Sequence, residues 1–497
     1  MLSKSKYLSG RQCLKKLYFE KHRPDLKPSV APATQALFDQ GHRVGELAQN
    51  LYLGGKDASP ESYLDFSKSI NNTSLWINSG YEVIYEATFA EDGVLAMLDI
   101  FLKRDGFIYA LEVKSATSVK EYHIWDAAIQ YYVMDKAGFR PDVFYIMHIN
   151  NSYVKNGDIR VDQLFTKTNV TEDVMAMQAE IPEQLAEMKA SLQAQAEPDI
   201  DIGPHCSKPF PCDFAHHCWQ GIPKPSVFSL ARISSNKAWG LYHKGKLAIA
   251  DLDEANFHGK ARLQIEGLKY GREVLRKDKI AAWLKTADYP LYFLDFETVG
   301  MGVPIPIYDG TRAFQQIPAQ YSLHVLDHPD AQLKHFEFLP DFSEDPRQEL
   351  AEFLCAQIGE EGSIIAYHKS FESGCLKQLA EYCPEKADQL HSFRDRLFDL
   401  IDPFRSTWLY TPAMGKSASI KSVYPALFPN DNDTYAGLII NNGGGASRYL
   451  AQLAQGNFSG TAVEREQLEA DLKAYCELDT MAMVKIWNYL RVVTEQH

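Results

Sequence analysis

Residues 98–115, LDIFLKRDGFIYALEVKS, decide the fold of the first half of the chain. Two short runs rich in β-branched and aromatic residues flank the turn RDG, so they read as neighbouring antiparallel strands. Upstream, YEVIYEATFA (81–90) joins VLAMLDIFLKR (94–104) through a second turn, EDG, and adds another strand. Downstream, a helical segment around 126–137 leads to the apolar run VFYIMHIN (143–150). The resulting order, strand–strand–strand–helix–strand, predicts a mixed α/β core. On the central hairpin Asp99 lies on one strand, while Glu112 and Lys114 share a face of the next at i and i+2. Two carboxylates there suit a hard divalent cation that retains water, and Lys114 would orient that water or neutralise a phosphate. The same spacing also fits an exposed hairpin of alternating charges.

The second half begins at PLYFLDFETVG (290–300), an apolar strand ending in acids. AQYSLHVL and LKHFEFLP around DHPDA read as a hairpin, SIIAY as a short strand, and LEADLKAYCELDTMAMVKIWNYL (468–490) as a final helix. Asp295 and Glu297 share one strand face, where adjacent carboxylates repel unless a cation or proton compensates. Glu372 opens an amphipathic helix in AYHKSFESGCLKQL, and Tyr475 and Asp479 share a helix face at i and i+4. Asp399 and Asp402, in FDLIDPF, are alternative acids. The expected domains are 1–225, a connecting module at 226–287, and 288–497.

A length of 497 residues calls for several domains, and 45% apolar with 12% aromatic content is ample for packed cores. A formal net charge of −14 excludes a uniformly basic coat, though not a local basic groove. MLSKSKYLSGRQCLKK contains no secretory apolar stretch and no later run is long enough to span a bilayer, so a cytoplasmic location and no membrane partner are expected. Eight cysteines in such a compartment are mainly thiols. Cys13, followed much later by Cys206, Cys212 and Cys218, offers one remote and three clustered sulfurs, which suits an iron–sulfur cluster. Zinc is the chemical alternative, with His205, His216 or His217 replacing a cysteine, and free structural thiols are the plain one. Cys355, Cys375, Cys383 and Cys476 read as ordinary thiols.

Taken with GHRVGELA, which carries His42, and YEATF, which carries Glu86, the D…EVK hairpin resembles the RecB-like branch of the PD-(D/E)xK nucleases. The resemblance covers Met1 to Trp219 and implies a restriction-endonuclease-like core, with His42 as an additional metal ligand. Gln130 and Tyr131 are similar to the glutamine–tyrosine motif of the following helix, without its QxxxY spacing. The one-plus-three cysteines resemble the iron–sulfur RecB-like nucleases, including the CRISPR-associated exonucleases and AddB, and imply a 4Fe-4S cluster; here the first gap is Cx5C where many relatives have CxxC.

From Tyr289 onward, DxE, an acid after an aromatic residue, and YxxxD resemble the DEDD 3′–5′ exonucleases of the RNase H-like fold, in the subgroup with tyrosine in the last motif. That implies Asp295, Glu297, Glu372 and Asp479 holding two Mg2+ or Mn2+ ions and Tyr475 orienting water; Glu372 stands where the family has aspartate. GKSASIKSVYPALFP and YAGLIINNGGGASRYL are also similar to an uncharacterised bacterial domain family found with RecB-like modules. Together these imply a metal-dependent nuclease acting on DNA rather than RNA, on single strands or from ends. The alternatives are a nucleic-acid-binding scaffold with inactive sites and an RNA-processing 3′–5′ exonuclease. Lys15, Lys16, Arg23, Lys27 and LRKDKIAAWLK are candidates for a phosphate path, or a solvated basic face.

Overall fold

Two Asp–Gly pairs set the first sheet. Asp92 and Gly93 (φ 51° and 73°) and Asp105 and Gly106 (φ 53° and 82°) are all left-handed. A two-residue hairpin with right-twisting strands needs that conformation at both central positions, and Asp–Gly supplies it at low cost. The hairpins join β3 (Val83–Glu91), β4 (Val94–Arg104) and β5 (Phe107–Lys114). In the computed structural model, which describes residues 1–62, 65–431, 438–440 and 442–495, the chain is mixed α/β and forms two compact units. The first comprises 1–221, 301–304 and 311–314; the second comprises 222–300, 305–310 and 315–497. The stretch expected as a connecting module therefore lies within the second unit, where Val227, Leu230, Ile249, Phe257 and Ile265 form a small core of their own.

In the first unit β5 continues through helix α5 (Glu121–Lys136) to a parallel β6 (Val143–Ile149), and β7 (Phe165–Asn169) closes antiparallel beside it. Two short strands, β1 (Leu2–Ser3) and β2 (Lys56–Asp57), pair with β4 and β3. Helix α5 is buried from Asp126 through Met134. Helix α3 (Pro32–Gln49) contributes Ala48 to a second core with Ile100, Leu102, Leu111 and Met147. The hairpin changes faces at its acids. Val94, Ala96 and Leu98 pack in the α5 core, yet beyond Asp99 it is Phe101 that does so, while Ile100 and Leu102 join the α3 side. Opposite Asp99, Glu86 has φ 51°; a non-glycine residue held there costs roughly 1–3 kcal/mol and such strain concentrates at functional sites.

The second unit has a five-stranded sheet ordered β11 (Lys334–Phe338), β10 (Ile317–Leu326), β9 (Leu291–Val299), β12 (Ser363–Ala366), β13 (Leu397–Asp399). β10 runs antiparallel to both β11 and β9, and β12 and β13 add in parallel. A separate two-stranded ribbon pairs β8 (Val274–Leu275) with β14 (Leu409–Tyr410). Both faces of β9 are covered, as its apolar run predicts. Tyr292, Leu294 and Phe296 pack on one side, and Leu291 and Phe293 on the other with Met483, Ile486 and Trp487 of the terminal helix Ala462–Glu495. That alternation directs Asp295 and Glu297 to the face on which the terminal helix lies. Of the segment YAGLIINNGGGASRYL, positions 435–437 and 441 fall outside the described residues. No helix among the described residues is long and apolar enough to cross a membrane.

Candidate metal centres

In the first unit the β4–β5 ladder ends at Ile100–Leu111, one step short of Asp99 and Glu112. The Asp99 carboxylate takes the Val113 N–H at 2.6 Å. Lys114 Nζ lies 2.7 Å from Glu112 Oε1 and 2.5 Å from Asp126 Oδ2, so Glu112 and Lys114 do share a face. Lys4, from the N-terminal helix Lys4–Gln12, places a second ammonium 2.7 Å from Glu112 Oε1. Burial alone would raise the Glu112 carboxyl, but Lys114 and Lys4 hold it well below the carboxylate range. Asp99 goes the other way, pushed to about 7 by burial and then by the Glu112 charge. Glu86 is pushed to about 8 by burial and Asp99. Glu112 Oε2 is buried without a hydrogen-bond partner.

The remaining expected residues sit around this cluster unequally. Gln130 donates to Asp126 Oδ1 at 3.3 Å and so reaches Lys114 through one intermediary. Tyr131 is buried and accepts instead from Arg140, at 2.8 Å. His42 is an exposed position of α3; the helix is tied to the end of β5 by Gln40, which donates to Ser115 Oγ at 2.8 Å. Neither His42 nor Glu86 joins Asp99 and Glu112 in a set of mutually close ligand atoms. Lys4 and Asp126 are absent from the sequence reading. Lys4 is remote in sequence, whereas Asp126 could have been found as the residue one helical turn before Gln130.

All four cysteines Cys13, Cys206, Cys212 and Cys218 line one cavity, with Lys15, Lys16 and His205. Cys13 is an extended break between Lys4–Gln12 and the helix Leu14–His22. Gln12 fastens it to the distant segment, donating to His205 O and Phe210 O at 2.8 and 2.7 Å. Gly203 N–H points at Cys206 Sγ, 3.5 Å away. Burial raises the Cys13, Cys212 and Cys218 thiols, and neighbouring cysteines add to it. Four cysteines lining one cavity, with an amide aimed at one sulfur, are a donor set that fits a cluster held by four thiolates. Of the basic residues considered for a phosphate path, Lys15 pairs with Glu197, Lys27 with Asp213 and Arg23 with Asp25. The Arg23 and Lys27 pairings are those of a solvated face, whereas Lys15 is largely covered at the cysteine cavity.

In the second unit Asp295, Glu297 and Asp479 bring ligand oxygens all within 4.8 Å of one another. Asp295 is raised well above the carboxylate range by burial, then by Asp479, Glu297 and Glu372. Glu297 is pushed to about 8 by burial and Asp479, against the pull of Lys421. Glu372, in the first turn of the helix Ser370–Tyr382, is pushed to about 8 by burial, and its Oε2 has no partner. Cys476 Sγ approaches Asp295 Oδ2 at 3.7 Å. Buried Tyr475 lies beneath Lys421 Nζ, 5.6 Å from its ring centre.

Asp399 and Asp402 have partners of their own, and the Asp399 charge also helps to raise Glu372. Asp399 accepts the His368 N–H at 2.9 Å, and both lie within 3.7 Å of Arg405. Two features here were not read from the sequence. Lys421 of the helix Ile420–Leu427 is the cation that lowers Glu297. Gly443, opening the helix Gly443–Ala454, lies where an added Cβ would stand 3.9 Å from Glu297 Oε2. The glycine run was visible in the sequence; its neighbour was not.

The chain is thus a mixed α/β protein in which Asp295, Glu297 and Asp479 gather ligand oxygens, four cysteines line one cavity, and Glu112 lies beside Asp99 in an ion-pair network with Lys4 and Lys114. Residues 292–419 match the domain of unknown function DUF2779, a span containing Asp295, Glu297, Glu372 and Asp399 but not Asp479. Curated relatives include an uncharacterised protein of Mycoplasma pneumoniae, the MG366 homolog, 28% identical over 232 residues, which are 42% of this chain and 33% of that protein. Uncharacterised protein UU173 of Ureaplasma parvum is 27% identical over 223 residues, 41% and 31% of the two chains. The chain therefore matches about one third of the length of these relatives.

Proposed function

We propose that this chain is a metal-dependent nuclease that hydrolyses phosphodiester bonds of DNA, with a RecB-like PD-(D/E)xK centre in its first unit and a DEDD-type, RNase H-like centre in its second. The observation that carries the reading is the convergence of Asp295, Glu297 and Asp479 within 4.8 Å, with buried Glu372 raising the charge density further. Such an oxygen-only set is unfavourable as bare anions and suits Mg2+ or Mn2+. When bound, paired divalent ions stabilise the attacking and leaving oxygens of an in-line displacement. The chain's own residues hold the geometry: Asp295 and Glu297 are fixed by β9, Asp479 by the terminal helix, and Tyr475 is the group that orients water. In the first unit Asp99, Glu112 and Glu86 supply carboxylates and Lys114 a positive charge for the phosphate. The four cysteines hold a 4Fe-4S cluster that fastens the N-terminal segment to this unit.

Asp99→Ala and Asp295→Ala should each remove a separable part of Mg2+- or Mn2+-dependent cleavage, measured on matched single-stranded and duplex DNA and on RNA. Absence of cleavage by the intact chain on every substrate would overturn the reading. One observation favours a reduced version for the first unit: Glu112 is already neutralised by Lys4 and Lys114. Retained DNA binding with Asp99→Ala cleaving as the intact chain does would leave that unit as a binding module.

A further inference from the structure

We infer that the second unit carries an additional binding site for a zinc-class divalent ion, formed by His324, His335 and Glu477 and separate from the carboxylate centre. One ligand atom from each lies within 4.8 Å of the other two. The site follows from the strand pattern. On β10, Tyr321, Leu323 and Val325 face the apolar core, so Ser322 and His324 turn toward the terminal helix. His335 is the cross-strand partner of His324 on β11, and the two rings stack at 4.4 Å. Glu477 and Thr480 come from the helix facing them.

The hydrogen bonds assign the tautomers. Thr480 Oγ1 lies 3.0 Å from Glu477 O, a carbonyl that can only accept, so the threonine proton goes there. Thr480 Oγ1 is then the acceptor for His324 Nδ1 at 2.9 Å and for the Ser322 hydroxyl at 2.8 Å. Having donated to Thr480, Ser322 Oγ accepts from His335 Nε2 at 2.9 Å. Every hydroxyl proton is used once. What remains is a lone pair on His324 Nε2, another on His335 Nδ1, and the Glu477 carboxylate 3.8 Å from the latter.

Two imidazoles and a carboxylate with ligand atoms this close, and with one nitrogen of each ring anchored by a hydroxyl, are the arrangement of a metal-ligating histidine pair with its supporting partners. Burial, and then His335, lowers His324 to about 4, keeping that imidazole neutral and able to bind. Two imidazoles and one carboxylate favour zinc, or cobalt in its place, over the magnesium that an oxygen-only set prefers. His335 and Glu477 are 25% and 47% exposed, which leaves a fourth position open to water. Bound there, the ion would clamp the β10–β11 hairpin to the helix carrying Tyr475 and Asp479.

The test titrates Zn2+ into the metal-stripped full chain, His335→Gln and Glu477→Gln, with bound equivalents measured by mass spectrometry and affinity by calorimetry. Any zinc held by the cysteines or by Asp295 and its neighbours is common to all three and cancels. The intact chain should bind one equivalent more than His335→Gln, and Glu477→Gln should bind it at least about 10-fold more weakly. Cobalt at the lost site should give visible bands without thiolate charge transfer. Equal stoichiometry and affinity in all three, with near-native circular dichroism, would show instead an ordinary His335–Glu477 ion pair. Thr480→Val, which keeps all three ligands, should weaken the site by about 10–100-fold.

Discussion

Both units bring buried carboxylates together around sheet strands, yet the two clusters are compensated differently. Glu112 has two ammonium groups at 2.7 Å and is held far below its ordinary range. Asp295, Glu297 and Glu372 are raised together, with Lys421 the cation that moderates Glu297. The first cluster is an internal ion-pair network that carries part of its own neutralisation. The second stores repulsion that a bound cation or proton relieves. Placing acids on one strand face therefore does not by itself create demand for a metal; the surrounding cations decide it.

Substitution of one acid in each cluster should break the symmetry most visibly. Asp479→Asn should lower metal-dependent cleavage by the second unit on the order of 10³-fold, about 4 kcal/mol at 1.36 kcal/mol per decade, while raising the melting temperature of the metal-free chain. Glu112→Gln should do the reverse to stability, because it strands Lys4 and leaves Lys114 with Asp126 alone. The cost is about 2 kcal/mol, below the roughly 3–5 kcal/mol of a fully enclosed pair, since the two lysines remain 25% and 21% exposed. Calorimetry without added metal reads both signs. Two destabilised variants would erase the distinction between the clusters.

The next effect is on pH. Glu297 and Glu372 hold folded values near 8 against ordinary values of 4.5, so the folded state keeps protons that the unfolded chain has released. The contribution of these two groups to the stability of the metal-free second unit is then fully present below about 4.5 and is lost as pH rises through 8. Glu112 has the opposite sign: its contribution is present above 4.5 and lost as pH falls through its depressed folded value. Hydrogen exchange of peptides covering 291–299 and 107–114 should separate the two, and Mg2+ should flatten the alkaline decline in the former. The cysteine region sets a third scale. Cys13→Ser should abolish the brown colour and the iron content of anaerobically purified protein, with a smaller loss in the cleavage assigned to Asp295.

How far the sequence foretold this depends on the range of each signal. The hairpins were legible because Asp92–Gly93 and Asp105–Gly106 encode their turns locally, and β9 because its apolar run is long. Asp295, Glu297, Tyr475 and Asp479 were legible as strand and helix periodicities. Lys4, Lys421 and the His324–His335–Glu477 group were not, since each depends on a contact between elements far apart in sequence. Strand alternation could still have put Ser322 and His324 on one face. Which helix residues met them required the packing of Met483, Ile486 and Trp487 against β9. Asp399 and Asp402 stood as alternatives to Glu372 in the sequence; packing puts Arg405 within 3.7 Å of both, although the Asp399 charge still helps to raise Glu372.

The smallest expected effect tests the lysine that lowers Glu297 in the second cluster. Lys421 lowers Glu297 and stands 5.6 Å from the Tyr475 ring centre. A cation over an aromatic face contributes about 0.5–1 kcal/mol at partly exposed sites, so Lys421→Met should slow cleavage a few-fold and no more. Its diagnostic is the pH profile: with the lysine gone Glu297 binds its proton more tightly, and the rising limb of kcat/KM should move to higher pH. Lys421→Arg should restore the position of that limb. A purely packing role for Lys421 would lower the rate without moving the limb, and methionine, which preserves much of the aliphatic stem, would then behave like arginine. Movement of the limb in methionine alone thus isolates the charge, the same quantity whose abundance around Glu112 distinguishes the first cluster from the second.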